Sequence, residues 1–268
     1  MNKPAIVTPD PWLRLQGLTR ARVALGRAGV SLPTREVLRF GTAHAQARDA
    51  VHQALDVATL QADLTDAGFA SLAVHSQAAD RSMYLRRPDR GRSLAPESLA
   101  LLCAQGPRLW APRPRLAVVL ADGLSSLATA RHGLPLLQAL QPYFPDLGTL
   151  PVIIASQARV ALGDEIGQAL GAEQVVVMIG ERPGLSSPDS LGLYLTARPR
   201  PGLTDAERNC ISNVRPEGLT YADAARKLAF LIAGALKLGR TGVDLKDDSD
   251  TAPALTDTAG PPRGLAAP

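Results

Sequence analysis

The sequence has few cysteines, few aromatic residues and almost no lysine. Its two cysteines, Cys103 and Cys210, lie far apart and do not make a disulfide framework, so a reducing cytosol is the expected compartment. Aromatic residues make up only 4% of the chain, too few for the stacking platform of a nucleic-acid-binding protein. We therefore expect no nucleic acid partner.

Long hydrophobic runs are also missing. The first residues, "MNKPAIVTPDPW", contain no apolar run of signal-peptide length, and the longest later one, "LAFLIAGALKLG", is too short to span a bilayer. Hydrophobic residues nevertheless make up 46% of the 268, ample for a sizeable core. The sequence predicts a soluble cytoplasmic protein with no membrane partner.

The net charge of +4 is mild, but nearly all basic residues are arginine. A GC-rich genome is the simpler cause, and the functional alternative is an interface, where arginine is enriched and lysine depleted. The N-terminal segment, residues 1–33, is rich in arginine. Together with the start of the next segment it carries six arginines, from Arg14 to Arg39, and only two carboxylates, Asp10 and Glu36. Glycines and Pro33 break this segment, so it predicts an Arg-rich arm lying on a partner, with an ordinary mobile terminus as the alternative.

Residues 34–113 predict a helical and mixed subdomain. A helical pattern runs from Thr34, a suitable N-cap, to about Ala67, and Gly68 is a suitable stop. Next come "SLAVHS", typical of a strand, and "APESLALLCAQ", typical of a short helix. The Pro- and Arg-rich stretch "GPRLWAPRPR" then predicts a boundary near residue 113.

Residues 114–246 alternate between strand and helix patterns. "LAVVLADG", "LPVIIASQ", "QVVVMIG" and "LGLYLTA" are strand-like, and Thr220 and Gly239 bracket a final helix. Strands that are unbroken apolar runs and alternate with helices predict a mostly parallel sheet covered by helices, in a Rossmann-like α/β domain. Residues 247–268 are polar and Pro-rich, and they predict a disordered tail.

Common catalytic and nucleotide-binding motifs are missing. Neither G-x-G-x-x-G nor the phosphate loop occurs. The loop "ADGLSSLA" resembles a nucleophile elbow with Ser125 and a nearby His132, but Leu127 stands where the second glycine belongs, and a turn followed by an N-cap is favoured. A stand-alone α/β hydrolase or nucleotide-binding protein, the alternative function, therefore lacks its signature.

Two helical patterns offer surfaces for binding or close packing. His44, Arg48 and His52 share one helix face, but eight residues at roughly 1.5 Å of rise separate the histidines too far to chelate one ion, which leaves hydrogen bonding or docking to a partner. We expect no metal ligand in this chain, because no zinc motif occurs either. Glycines at every fourth position, 163, 167 and 171, indicate close helix packing, with a large ligand on that face as the alternative.

The stretch "VVVMIGERPGLSSPDSLGLYL" runs from a buried strand pattern directly into Glu181 and Arg182. In open parallel sheets the ligand sits at the carboxyl ends of the strands, where the loops converge. Taken with "RVALGDEIGQALGA" before it and "ERNCISNVRPEGL" after it, this stretch resembles the small subunit of ethanolamine ammonia-lyase. The blocks "SLPTREVL", "HAQARDAVH", "YLRRPDRGR" and "VVLADGLS" extend the resemblance over residues 12–246.

The resemblance implies an adenosylcobalamin enzyme that converts ethanolamine to acetaldehyde and ammonia by radical chemistry. A separate large subunit, a (β/α)8 barrel, holds the substrate and most radical-handling groups, in an assembly of the heterododecamer type. The small subunit clamps cobalamin at the barrel mouth and contributes no catalytic residue. A location inside a bacterial microcompartment is a further possibility that the resemblance raises.

By motif, the resemblance places cobalamin contacts at Val160, Glu181 and Cys210. Corrin side arms are amides, whose N–H groups donate hydrogen bonds to a carboxylate. Valine and cysteine offer apolar contact to the macrocycle. The structural alternatives are an ion pair of Glu181 with Arg182 or another loop arginine, and a small buried side chain at Cys210. The D-x-H-x-x-G motif is absent, so a base-on cofactor is expected and no histidine should bind cobalt.

Overall fold

The computed structural model describes residues 6–19 and 21–250. Most of the predicted tail, residues 251–268, and the first five residues of the predicted arm lie outside the described residues. Residues 247–250, also assigned to that tail, contact the last long helix. Lys227 Nζ lies 2.8 Å from Asp250 Oδ2, and Arg226 donates to the carbonyl oxygen of Ser249 at 2.7 Å.

Six strands form one mixed sheet in the described part of the chain. Their spatial order is β1-β3-β2-β4-β5-β6, where the strands are β1 (Ser71–His75), β2 (Leu116–Ala121), β3 (Val152–Ser156), β4 (Gln174–Gly180), β5 (Leu191–Ala197) and β6 (Asn209–Val214). The first four strands in space pair in parallel, β5 is antiparallel to β4, and β6 is antiparallel to β5. The predicted α/β class and its parallel strands are present, in a sheet that is mixed.

The antiparallel half of the sheet follows from the length of the connections. A parallel neighbour needs a crossover of a dozen or more residues, usually with a helix. Residues 181–190, which join β4 to β5, are too few and contain no helix, so the chain returns antiparallel. The sequence pattern missed β6, because "NCISNV" is half polar and lacks the unbroken apolar run of the other strands.

Seven α-helices accompany the sheet in the described residues, and one predicted helix is divided. They are α1 (Thr34–His52), α2 (Val57–Asp66), α3 (Arg81–Arg86), α4 (Pro96–Leu109), α5 (Ser126–Ala139), α6 (Leu162–Leu170) and α7 (Tyr221–Leu238). The single helix predicted over residues 34–67 is wrong. Asp56 accepts a hydrogen bond from the backbone N–H of Thr59 at 3.0 Å, and so caps the N-terminus of a second helix, α2. Thr34 is the first helical residue, and Pro33 occupies the predicted cap position.

The two faces of the sheet are covered differently. One face packs on α2, α5 and α7, and its buried core includes Leu193 of β5 and Ile211 of β6. The other face packs on α4 and α6 through residues such as Leu102 and Ile166. Among the described residues, the fully buried part of this α4/α6 core contains nothing from β5 or β6. The sheet surface beside α6 is therefore open over β6, where Cys210 and Ser212 are exposed, and largely covered over β5, where Tyr194 is half-buried and Thr196 is buried.

Glycines bring α6 against the sheet. A Cβ at Gly163 would collide with the side chain of Val177, and one at Gly167 would collide with Pro199. Gly171 ends the helix in the left-handed conformation at φ +65°. The repeat of small residues thus serves close packing on β4, and no ligand fits between helix and sheet at these positions.

The end of β4 packs directly on the turn after β2. A Cβ at Gly180 would collide with the carbonyl oxygen of Ser125, and the backbone N–H of Leu124 donates to the Gly180 carbonyl at 2.9 Å.

We expect Gly180→Ala to lower the free energy of unfolding by about 1–3 kcal/mol, because backbone must move to admit the methyl group. Urea unfolding measures this change. Gly184→Ala is the matched control, since its Cβ would meet nothing closer than 3.6 Å, and equal losses in both variants would contradict the assignment.

Candidate functional site

The carboxyl ends of β1 to β4 meet along one edge of the sheet, as their parallel pairing requires. Asp122 follows β2 there, residues 157–160 follow β3, and Glu181 follows β4. Open sheets of parallel strands bind ligands at this edge. The candidate site is built from these loops and the adjoining surface of β5 and β6, which is exposed on β6.

The loop after β3 is held in one conformation by buried polar groups. Asp122, which is 1% exposed, accepts the backbone N–H groups of Gln157 at 2.8 Å and Ala158 at 2.9 Å. Ser76 donates to the Gln157 carbonyl at 2.7 Å, and the Tyr84 hydroxyl donates to the Ala158 carbonyl at 3.1 Å. Gln157 adopts φ +53°, which costs free energy for a residue other than glycine. These four contacts hold the strained turn.

An arginine completes the support of Asp122. Arg81 donates to the Gly123 carbonyl at 2.8 Å and lies 3.4 Å from the Asp122 carboxylate. Burial raises the pKa of Asp122 above its ordinary value, against the opposing effect of the backbone N–H groups and of Arg81. The same guanidinium donates to the Val51 carbonyl at 2.6 Å and so connects the end of α1 to this edge.

Val160 stands at the end of this loop, just before α6. It is half-buried and packs against the α4/α6 core. Tyr194 of β5 packs against the same core. Val160 and Tyr194 therefore lie on one face of the sheet.

Glu181 reaches from the end of β4 across β5 to β6. Its two carboxylate oxygens each lie 3.3 Å from the backbone nitrogen of Asn213, which donates to them. Gly192 makes room for this crossing, because a Cβ there would lie 3.1 Å from Glu181 Oε1. Among the described residues Glu181 forms no salt bridge with Arg182 or another loop arginine, so the structural alternative of an ion pair is not what the structure shows.

Cys210 lies on the same face, in register with Tyr194. Its sulfur is 3.3 Å from the hydroxyl oxygen of Ser212, and the residue is exposed. The alternative of a small buried side chain is therefore wrong for Cys210. The surface formed by Glu181, Gly192, Tyr194 and Cys210 is called the β5–β6 face below.

Tyr194 joins Glu181 to Cys210 and was missed by sequence reasoning. Burial raises the pKa of its phenol, and the neighbouring Cys210 and Glu181 raise it further, so the group stays protonated at neutral pH. A neutral phenol on an otherwise half-open surface can donate or accept a hydrogen bond. Its sequence context, "LGLYLTA", signals a buried strand and nothing more.

A buried ion pair fastens α6 to the start of β6. Arg208 donates to both oxygens of Asp164 at 2.7 Å and to the Thr196 hydroxyl at 2.9 Å, and both charged side chains are 2% exposed. Burial opposes the charge of Arg208, but the hydrogen bonds to Asp164 outweigh it and raise the pKa of the guanidinium. The pair sets the position of α6, and with it the loop of Val160, relative to the β5–β6 face.

The residues of the rejected nucleophile elbow serve structural roles. Ser125 caps α5 by accepting the backbone N–H of Ala128 at 3.3 Å and donates to the Pro188 carbonyl at 2.8 Å. His132 is hydrogen-bonded to the Tyr221 hydroxyl at 2.7 Å.

Within residues 6–19 and 21–250, no group of three or more His, Cys, Asp or Glu side chains could hold a metal ion, and no helix is long and apolar enough to cross a membrane.

Comparisons with known proteins agree on one family. A family model described as "Ethanolamine ammonia-lyase light chain (EutC)" matches residues 9–246. A protein of Pseudomonas fluorescens named ethanolamine ammonia-lyase small subunit is 53% identical over 93% of this chain and 91% of its own length. Proteins of the same name from Azotobacter vinelandii and Ralstonia nicotianae are 53% and 54% identical, over 94% and 93% of this chain and 94% and 93% of their own lengths. The chain therefore belongs to the ethanolamine ammonia-lyase light chain family.

Proposed function

We propose that this chain clamps adenosylcobalamin against the large subunit of ethanolamine ammonia-lyase, with the β5–β6 face and the loop of Val160 toward the cofactor. The observation that carries the proposal is the partly open sheet surface beside α6, on which the half-buried Glu181 and Tyr194 lie together with the exposed Cys210. When bound, the cofactor supplies a cobalt–carbon bond whose homolysis begins radical conversion of ethanolamine to acetaldehyde and ammonia. This chain contributes binding, orientation and exclusion of water.

The residues present fit a corrin with amide side arms. Glu181 holds acceptor oxygens above Gly192, where the sheet has no side chain to obstruct approach. Gln157 Oε1 and Arg159 Nε, in the loop of Val160, are buried without hydrogen-bond partners in the described part of the chain. Buried polar atoms usually have partners, so this loop has unused capacity for a donor and an acceptor. Val160 and Cys210 add apolar contact.

The N-terminal region supports a second chain as the other half of the clamp. Over the 19 residues of α1 only Ala50 is buried. Large apolar residues on α1 and before it are exposed, including Trp12, Val30, Leu38 and Phe40. Most of the exposed large apolar residues of the described chain fall in this one segment, which suits it to a protein partner. We propose that the described part of the predicted arm, residues 6–19 and 21–33, and α1 lie on the large subunit.

The proposal also includes the Rossmann-like unit and the base-on cofactor that the sequence predicts. Residues 114–246 would form a Rossmann-like unit, to which β1, from the predicted subdomain of residues 34–113, adds one strand. The cofactor would be base-on, because the sequence offers no D-x-H-x-x-G histidine for cobalt. Ser125 is buried and engaged in capping, so a stand-alone hydrolase has no exposed nucleophile at that turn.

The proposal requires that the chain be inactive without the large subunit. Purified alone and mixed with ethanolamine and adenosylcobalamin, it should release no acetaldehyde. Addition of the large subunit should restore acetaldehyde release in proportion to the assembled complex. Turnover by the chain alone would contradict the clamping role.

Glu181→Ala should weaken cobalamin binding to the assembled enzyme. Loss of a hydrogen bond to a charged acceptor costs about 1.5–3 kcal/mol, so the Kd should rise about tenfold or more. Equilibrium dialysis with the assembled enzyme measures the Kd directly. Glu181→Gln keeps one acceptor oxygen and should lose less, and the exposed neighbour Arg182→Ala is the matched control. An unchanged Kd in Glu181→Ala would leave Glu181 with only its contact to Asn213.

A further inference from the structure

Arg159 is a positioned cation without a carboxylate partner at the edge of the candidate site. Its guanidinium carbon lies 4.3 Å from the centroid of the Tyr84 ring, and its Nη2 lies 3.4 Å from the Tyr84 carbonyl oxygen. Among the described residues it forms no salt bridge, and its Nε is buried without a partner. The guanidinium therefore keeps donor capacity that the chain itself does not use.

The side chain of Arg159 is held in place along its length. Its backbone N–H donates to the Gly91 carbonyl at 2.8 Å. A Cβ at Gly91 would lie 3.0 Å from both Arg159 Cγ and the Tyr84 ring, so the absence of a side chain there admits the arginine stem. Arg81 stacks on the same Tyr84 ring at 4.7 Å. A side chain so confined loses little freedom when it binds a ligand.

The surroundings of Arg159 are positively charged. Residues 81–92, which form α3 and the turn that contains Gly91, carry five arginines and one carboxylate, Asp89. Asp89 is paired with Arg87 at 2.7 Å, and the Asp122 carboxylate is engaged by Arg81 and two backbone N–H groups. No free carboxylate of this segment is available to Arg159. Such an edge favours an anionic ligand.

We propose that Arg159 binds the phosphodiester of the nucleotide loop of cobalamin, an inference that rests on the proposed function. Arg159 precedes Val160, so their Cα atoms are only about 3.8 Å apart, and a cofactor resting on Val160 comes within reach of the guanidinium. The phosphodiester carries a negative charge, and the planar guanidinium fork matches its oxygens. Glu181 would then hold the amide arms while Arg159 holds the nucleotide end of the same molecule.

Cobinamide, which lacks the nucleotide loop and its phosphate, separates the two contacts. In the assembled enzyme, Arg159→Gln should raise the Kd of cobalamin about tenfold or more and leave the Kd of cobinamide unchanged. Arg159→Lys keeps the charge without the fork and should lose less cobalamin affinity than Arg159→Gln. Glu181→Ala should weaken both ligands, because the amide arms are common to them. Equilibrium dialysis of each variant with each ligand measures these Kd values.

Each remaining outcome overturns the inference or its foundation. Equal weakening of cobalamin and cobinamide by Arg159→Gln, or no weakening of either, overturns the role of Arg159 while Glu181→Ala can still support the clamp. If neither Glu181→Ala nor Arg159→Gln weakens cobalamin, the proposed function fails together with the inference. Failure of either Arg159 variant to assemble with the large subunit assigns the guanidinium to folding or to a partner carboxylate, and overturns the inference.

Discussion

Replacing Asp164 by alanine is expected to lower the free energy of unfolding by about 3–5 kcal/mol, because the change leaves the Arg208 guanidinium buried without its carboxylate. Both side chains are 2% exposed and joined by two hydrogen bonds of 2.7 Å, so water cannot replace the missing partner. Urea unfolding of the chain measures the loss. The same change should also loosen the contact between α6 and β6.

Paired substitutions separate the cost of an orphaned charge from the value of the ion pair. Asp164→Leu combined with Arg208→Met removes both charges and should recover much of the loss, since apolar replacements of similar volume are often neutral. The exposed pair of Arg87 and Asp89 gives the matched control, and Asp89→Ala should change stability little because water screens it. A loss in Asp164→Ala no larger than in Asp89→Ala would contradict the assignment.

Asp122→Ala is expected to lower the free energy of unfolding by about 2–6 kcal/mol, because each of two buried N–H groups left without an acceptor costs about 1–3 kcal/mol. The donors are those of Gln157 and Ala158, at 2.8 and 2.9 Å. Gln157 is strained at φ +53°, so the turn should relax once the carboxylate is gone. Urea unfolding and amide hydrogen exchange at residues 157 and 158 measure the two effects.

The loss at Asp122 should reach the cofactor, because the loop that it holds carries Val160. Asp122→Asn keeps one acceptor oxygen and should lose less stability, although its amide group then faces a backbone donor. Ser76→Ala is a second control, since it removes a donor to the Gln157 carbonyl and leaves Asp122 in place. Wild-type protection of both amides in Asp122→Ala would contradict the role of Asp122 in this loop.

Sequence patterns located β2, β3 and β4 because these parallel strands are buried on both faces and consist of nearly unbroken apolar residues. β2 and β4 are buried along their whole length, as that pattern requires. The same rule could not find β6, which is open on one face and at one edge and therefore carries polar residues. The prediction of one helix over residues 34–67 was wrong because the apolar periodicity continues across residues 53–56. The chain breaks there and Asp56 caps a new helix.

The motifs of the site were visible in the sequence, but their arrangement was not. Glu181 could be placed at a strand end from the pattern before it, whereas its contact with Asn213 depends on β6 lying two strands away. Tyr194 and Arg159 have no motif of their own. Tyr194 matters because β5 brings it between Glu181 and Cys210, and Arg159 matters because it lies on the Tyr84 ring without a carboxylate.

The sequence by itself determined the α/β class, the parallel strands and the family, because apolar runs, glycine stops and long motif blocks are local properties of the chain. Only the tertiary structure decided that β5 and β6 run antiparallel beyond β4 and that one face of β6 is left uncovered. It also decided which charges are neutralised, as in Asp164 with Arg208, and which are left for a ligand, as in Arg159. The pairing of Arg208 with Asp164 joins residues 44 apart in the chain and depends on the fold bringing the start of β6 near α6, which no local pattern encodes.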